Sequence, residues 1–363
     1  MIPHDKLFTP GPVEVSPKTL AAFSRPMIAH RGDDFKNLYR DIHPKLQTLF
    51  GTKQPVFLST SSAWGVMEAA IRNLVCNNRR SGSGLLCCMC GAFSDKWLDV
   101  ARRCGKTAEP LQIEWGKHID HKDVDLALAS GKFDTVTLVH NETSTGVMNP
   151  LPEICCTLAK YPDVILIVDT VSSFSAMKID MDALGIDLML TGAQKALALP
   201  PGFSLFSVSE KAFTRAEKVK ERGYYFDFLE FKKQQAEWMT PSTPSSGHIF
   251  ALQSKLGEIF EEGLTNRYER HARTNALVHD WVRSRGLDFF AEEGYRSLTL
   301  TCVKNNKGID VLDFARQLRE KHHLVIDPGY GKLRGKTFRL SNMGDETEET
   351  ISHLLTCVED CLA

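Results

Sequence analysis

Nowhere in the 363-residue sequence does an apolar stretch approach the roughly 20 residues needed to span a bilayer. The opening, MIPHDKLFTPGP, also lacks the charged-then-apolar layout of a secretion signal. No membrane association and a cytoplasmic location are therefore expected. Charge imbalance is missing too: 44 basic against 45 acidic residues leave a formal charge of -1, which gives no electrostatic reason to bind nucleic acid. Without repeats or low-complexity tracts, collagen-like and disordered readings fall. A disulfide layout is absent as well, because the ten cysteines sit inside apolar runs such as LLCCMC (85–90) and EICCTL (153–158). They read as buried thiols in a reducing compartment. Cys87, Cys88 and Cys90 resemble a metal cluster only in spacing: neighbours on a strand face opposite ways and no second pair follows, so no metal is expected.

What remains is an ordinary globular composition, 42% hydrophobic and 25% charged, long enough for two domains. Short apolar runs bounded by turn residues recur at 55–60, 84–90, 134–140, 163–170, 186–192 and 202–208. Runs of this length without alternation suit strands buried on both faces. Helical patterns such as WGVMEAAIRNLV and FSDKWLDVARRCG lie between them, which implies an α/β domain with a mostly parallel sheet covered by helices. From about residue 250 the texture changes to long amphipathic stretches, the strand-like SLTLTCV and TFRLSN, and a helix at 309–321. The expected division is an N-terminal segment over 1–20 lining the cleft, a large α/β domain over 21–247, and a small α+β domain over 248–363, with the Pro/Ser/Thr-rich end of 215–247 as the boundary.

In parallel α/β sheets ligands bind at the carboxyl ends of strands, so polar residues just after apolar runs are the candidates. Asp169 ends the run VILIV, where an acid costs several kcal/mol unless paired. A helix cap or ion pair would explain it as well as a ligand nitrogen would. Lys195 follows another run among Gly, Ala, Leu and Pro, where partial desolvation makes a neutral, nucleophilic amine available. Together they are the two groups that pyridoxal phosphate demands: an acid for the pyridine nitrogen and an amine for a Schiff base. FLSTSSAWGVMEAA leads from a Ser/Thr turn into a helix whose amides at Ser62, Ala63 and Trp64 suit a phosphate. Phe93, after the second run, is placed to stack on a flat ring, although a core position is the commoner fate of phenylalanine.

With TPGPVEVSP, SSAWGVMEAA, HNETSTG (140–146), VDTVSS, TGAQKAL, PSTPS (241–245) and GKTFRLSNMG (335–344) in this order, the sequence resembles the class V aminotransferases of fold type I, in the alanine- or serine-glyoxylate aminotransferase branch. The resemblance implies a fold type I architecture with a seven-stranded-type sheet, and a homodimer with active sites at the interface. It also implies ping-pong transfer of an amino group from a small amino acid, alanine or serine, to a small 2-oxo acid, glyoxylate or pyruvate. By the same resemblance, Lys195 forms the Schiff base and shuttles the proton, and Asp169 keeps the ring nitrogen protonated. Val171 packs under the ring with Phe93 above it, and Ser144 lies near the ring oxygen. Gln194 joins Ser62, Ala63 and Trp64 at the phosphate, Thr243 reaches it from the partner subunit, and Arg339 takes the substrate α-carboxylate. Two positions depart from the pattern: Trp64 replaces a small or hydroxylated residue or His, and Thr240 replaces a Tyr. Three alternatives stay open: a 2-aminoethylphosphonate transaminase, a cysteine desulfurase, for which Cys302 is poorly placed in a strand-like run, and a non-catalytic relative.

Overall fold

The computed structural model describes residues 4–76 and 84–362. A seven-stranded sheet forms its centre, built from β1 (Val56–Ser59), β2 (Leu85–Met89), β3 (Ala108–Gln112), β4 (Thr135–Val139), β5 (Ile165–Asp169), β6 (Leu188–Gly192) and β7 (Ser204–Val208) in the order β1-β7-β6-β5-β4-β2-β3. All six apolar runs expected to be strands lie in it. Their side chains alternate between two layers: Leu86, Val136, Leu166 and Val168 pack on one face, and Leu85, Ile165, Ile167 and Leu190 on the other. Cys88 and Cys87 split the same way, as expected for adjacent strand residues. Both layers are closed by helices, which explains why the strands carry apolar residues without alternation.

Two features of the sheet carry no mark in the sequence. The edge strand β3 reads AEPLQ, too polar to resemble a strand, and its Pro110 is tolerated because an edge leaves one side of the backbone unpaired. β7 runs antiparallel to both neighbours, whereas the other six strands are parallel. The link 193–203 between β6 and β7 contains no helix, and a parallel return would need a crossover of a dozen or more residues.

The smaller sheet joins β8 (Asp288–Phe289), β9 (Leu300–Lys304) and β10 (Thr337–Ser341) in antiparallel order. Its core gathers Val278, Trp281, Val303, Phe338, Leu340 and Leu354. The helix over Ser246–Glu262 places Ile249, Leu252, Leu256 and Ile259 in the large-domain core, while the small-domain core takes up only Val278, Trp281 and Val282 of the following helix, Leu264–Ser284. The change from one core to the other thus falls within that following helix, and the Pro/Ser/Thr-rich stretch precedes a helix that still covers the main sheet. The N-terminal segment is shared: Lys6–Leu7 pair with Leu324–Val325 and Phe8 enters the small-domain core, while Pro17–Phe23 form a helix beside Ser246–Glu262. Among the described residues, no helix is long and apolar enough to cross a membrane.

Candidate active site

The carboxyl ends of β1, β2, β4, β5 and β6 converge on a cavity of about 260 Å³. Asp169 is the last residue of β5 and is 3% exposed. The Val171 amide donates to its Oδ1 at 2.9 Å and the Trp97 indole to its Oδ2 at 3.5 Å. Burial outweighs these bonds and pushes the carboxyl up to about 7. An acid so placed favours a cationic partner.

Lys195 lies in the β6–β7 link and is also buried. Burial holds its amine down to about 8, the nearby Arg339 charge acting in the same direction and Asp169 against it. The ammonium donates to the Pro10 carbonyl and sits 5.8 Å from the centre of the Phe93 ring. Gly11 makes this approach possible. A Cβ there would lie 2.5 Å from Lys195 Cδ and 2.8 Å from Nζ, and its φ of +111° is itself unfavourable for other residues. Gly11→Ala is expected to lower kcat/KM at least tenfold, about 1.4 kcal/mol, by displacing either the lysine or the TPGP segment. Steady-state kinetics beside a circular dichroism melt would check it; unchanged kinetics would mean that the segment moves freely.

The residues also fit a pyridoxal phosphate. The helix Ala63–Leu74 begins with Ser62 as its N-cap and no side-chain cap bond, leaving the first amides available to an anion. Gln194 Oε1 is buried without a hydrogen-bond partner among the described residues, and an ideal Cβ at Gly192 would lie 2.9 Å from it and 3.5 Å from Ala63 Cβ. The Gln194 amide thus stands beside that helix start. Ser62, Ala63, Trp64, Phe93, Asp169, Val171, Gln194 and Lys195, all anticipated from the sequence, line this one cavity.

Three anticipated residues do not. Ser144 is buried behind the wall, its hydroxyl donating to Glu142 at 2.6 Å and accepting from the Ala92 amide at 2.9 Å, while Thr143 takes the lining position. Thr243 is exposed and does not line this chain's own cavity. Arg339 stands at the margin, 3% exposed, with its guanidinium carbon 5.5 Å from the ring centre of Tyr330, a lining residue. Phe338 and Leu340 enter the small-domain core and Arg339 faces the other way, donating to the Thr143 carbonyl at 2.7 Å. Asp327 engages one edge of its fork, through Nε at 2.9 Å and Nη2 at 2.8 Å. Of the two departures, Trp64 lines the cavity, and the Thr240 hydroxyl is turned into its own loop, donating to the Ser242 carbonyl at 2.7 Å.

Sequence reasoning missed Trp97, Glu142, Asp327 and Tyr330. Trp97 was within reach, since it follows Phe93 by one helical turn in Ala92–Arg103 and shares its face. Glu142, fully buried, accepts from the Ser94 amide at 2.8 Å and the Ser94 hydroxyl at 2.9 Å. It places an acid at the amino end of the helix that carries Phe93.

The family description "Aminotransferase class-V" matches residues 14–330. The chain belongs to the class V aminotransferases. An uncharacterized aminotransferase of Methanocaldococcus jannaschii is 37% identical, covering 97% of this chain and 91% of the relative. The serine–glyoxylate aminotransferase of Arabidopsis thaliana is 32% identical over 97% of this chain and 89% of its own. The crystal structure of alanine–glyoxylate aminotransferase from Nostoc sp. superposes with a TM-score of 0.93 at 29% identity, covering 100% of this chain and 96% of the other. This class V aminotransferase therefore shares the fold type I architecture across its length, and its cavity occupies the usual strand-end position of α/β sheets.

Proposed function

We propose that this aminotransferase depends on pyridoxal phosphate carried by Lys195, and moves the amino group of a small amino acid to a small 2-oxo acid in two half-reactions. The observation that supports the reading most is the pair of oppositely perturbed groups in one cavity, a lysine held down to about 8 and an aspartate pushed up to about 7. The cofactor, when bound, supplies a carbonyl for the amine and an electron sink for the α-carbon. Asp169 then holds the proton on the ring nitrogen, and the Lys195 amine takes and returns the proton at the substrate α-carbon. The amides at Ala63 and Trp64 hold the phosphate with Gln194 and Ser62, and Phe93 and Val171 confine the ring. The buried side chains around the reacting atoms exclude water. The names of the serine–glyoxylate and alanine–glyoxylate relatives support glyoxylate as acceptor and serine or alanine as donor.

Cys302, on β9, is 3% exposed with its thiol pushed up to about 12 by burial, which does not suit the mobile nucleophile of a desulfurase. A homodimer suits the exposed Thr243, which would complete the neighbour's phosphate site. The free thiols fit a reducing compartment. A panel of amino donors in single half-turnovers, followed by the cofactor absorbance, tests the donor. Arg339→Lys keeps the charge but loses the planar fork, so KM for donor and acceptor should rise about tenfold while cofactor binding stays near wild type. Comparison with an amine lacking the carboxylate decides the role: an equal penalty on both would rule out Arg339 as the carboxylate site.

A further inference from the structure

We propose that Asp327 is a positioning residue for the substrate carboxylate, holding one edge of the Arg339 guanidinium so that the remaining donors are presented to substrate. This rests on the reading of Arg339 as the carboxylate site. Asp327 and Arg339 face each other across an isolated antiparallel bridge, the Arg339 amide donating to the Asp327 carbonyl at 2.8 Å. Residues opposite one another in such a pair project their side chains to the same face. The Asp327 carboxyl is fixed from a second direction by the Gly329 amide, which donates to Oδ1 at 2.8 Å. Gly329 has a φ of +90°, and a Cβ there would lie 2.3 Å from the Leu333 carbonyl oxygen, so the turn that presents this amide requires glycine.

The loop is tied to the large domain as well. Tyr330 stacks on Phe93 with ring centres 5.1 Å apart, and the Lys332 ammonium sits 3.8 Å from the Trp115 ring centre. Asp327 therefore does not follow a mobile arginine; the arginine is set by a fixed acid.

Donor counting shows what this arrangement leaves. A guanidinium has five N–H groups. Asp327 takes one on Nε and one on Nη2, and the Thr143 carbonyl takes one on Nη1. One hydrogen remains on each terminal nitrogen, the number that a carboxylate engaging two parallel bonds requires. A guanidinium released from Asp327 would keep its planar fork but could turn about its side-chain bonds, so the two remaining donors would no longer face one fixed direction. The other possible role, in which Asp327 competes with substrate for the arginine, has the opposite sign, because its removal would then tighten substrate binding.

The test uses the holoenzyme with Asp327→Asn, which keeps an acceptor for the Gly329 amide but sets an NH2 group against Nη2, and Asp327→Ala, which removes both contacts. Three quantities are measured: KM and kcat for alanine and glyoxylate, kcat/KM for ethylamine, which has no carboxylate, and the dissociation constant of propionate by NMR titration. The expected result is a rise of about tenfold in both KM values and in the propionate constant, kcat within about twofold, and no change for ethylamine. Unchanged or lowered KM and propionate constants would overturn the positioning role. An equal penalty on ethylamine would overturn it too, by showing a general disturbance of the site. If Arg339→Lys already penalises ethylamine as much as alanine, the carboxylate reading of Arg339 itself has failed. If that control holds and only the Asp327 variants disagree, the fault lies with Asp327 alone.

Discussion

Lys195→Ala is expected to abolish turnover, with a loss in kcat of at least about 10⁴-fold, or about 5 kcal/mol, while the fold survives. The amine that engages the cofactor and the base that moves the α-proton vanish together. Structurally the side chain is dispensable, because among the described residues its ammonium bonds only the Pro10 carbonyl and it is held buried at a desolvation cost. Stability should report that cost in the cofactor-free protein. With the folded pKa lowered from 10.5 to about 8, the contribution of Lys195 is fully present above about 10.5 and is lost as pH falls through 8. Thermal melts of the cofactor-free wild type should therefore fall relative to those of the variant between pH 10 and 8. Normal transamination by Lys195→Ala would refute the assignment, and a flat difference between the melts would show that the buried amine carries no such penalty.

Asp169→Ala is the second large effect. It should cost kcat at least 10²-fold, about 2.7 kcal/mol, and lower cofactor affinity much less, because an unprotonated ring nitrogen is a poor sink for the electrons of the α-carbon. Survival of kcat within about tenfold would make Asp169 a structural acid. Its pH signature is opposite in direction to that of Lys195. Burial raises its folded pKa from 3.8 to about 7, so its contribution to stability is present below about 3.8 and is lost as pH rises through 7. Asp169→Asn should accordingly stabilise the cofactor-free protein at pH 8 and leave it little changed at pH 4, as read by thermal melts.

The sheet was legible because burial on both faces leaves its mark directly in residue type: every residue of β2, β4, β5, β6 and β7 is buried. β3 was hidden because an edge strand need not be apolar. The direction of β7 was hidden because it depends on the absence of a helix in 193–203, which the Ala- and Leu-containing sequence there does not announce. Asp169 and Lys195 stood out for a related reason, since a charged residue at or just past the end of an apolar strand is conspicuous. Their companions were not. Trp97 reads as a core residue and serves as one, at 1% exposure, while also donating to Asp169. Asp327 stands in IDPGYG, where Asp-Pro-Gly signals only a turn, and its partner lies 12 positions away on another strand. Ser144 and Thr143 show the limit of motif matching: HNETSTG marks the wall of the site, but which hydroxyl faces the cavity is decided by the chain direction after β4.

Borohydride reduction of the purified protein loaded with pyridoxal phosphate, followed by peptide mass mapping, tests whether Lys195 carries the cofactor. The expected result is a visible absorbance band that disappears on reduction and a pyridoxyl-phosphate mass on the peptide carrying Lys195. Absence of the band after loading, or the label on a different lysine, would contradict it.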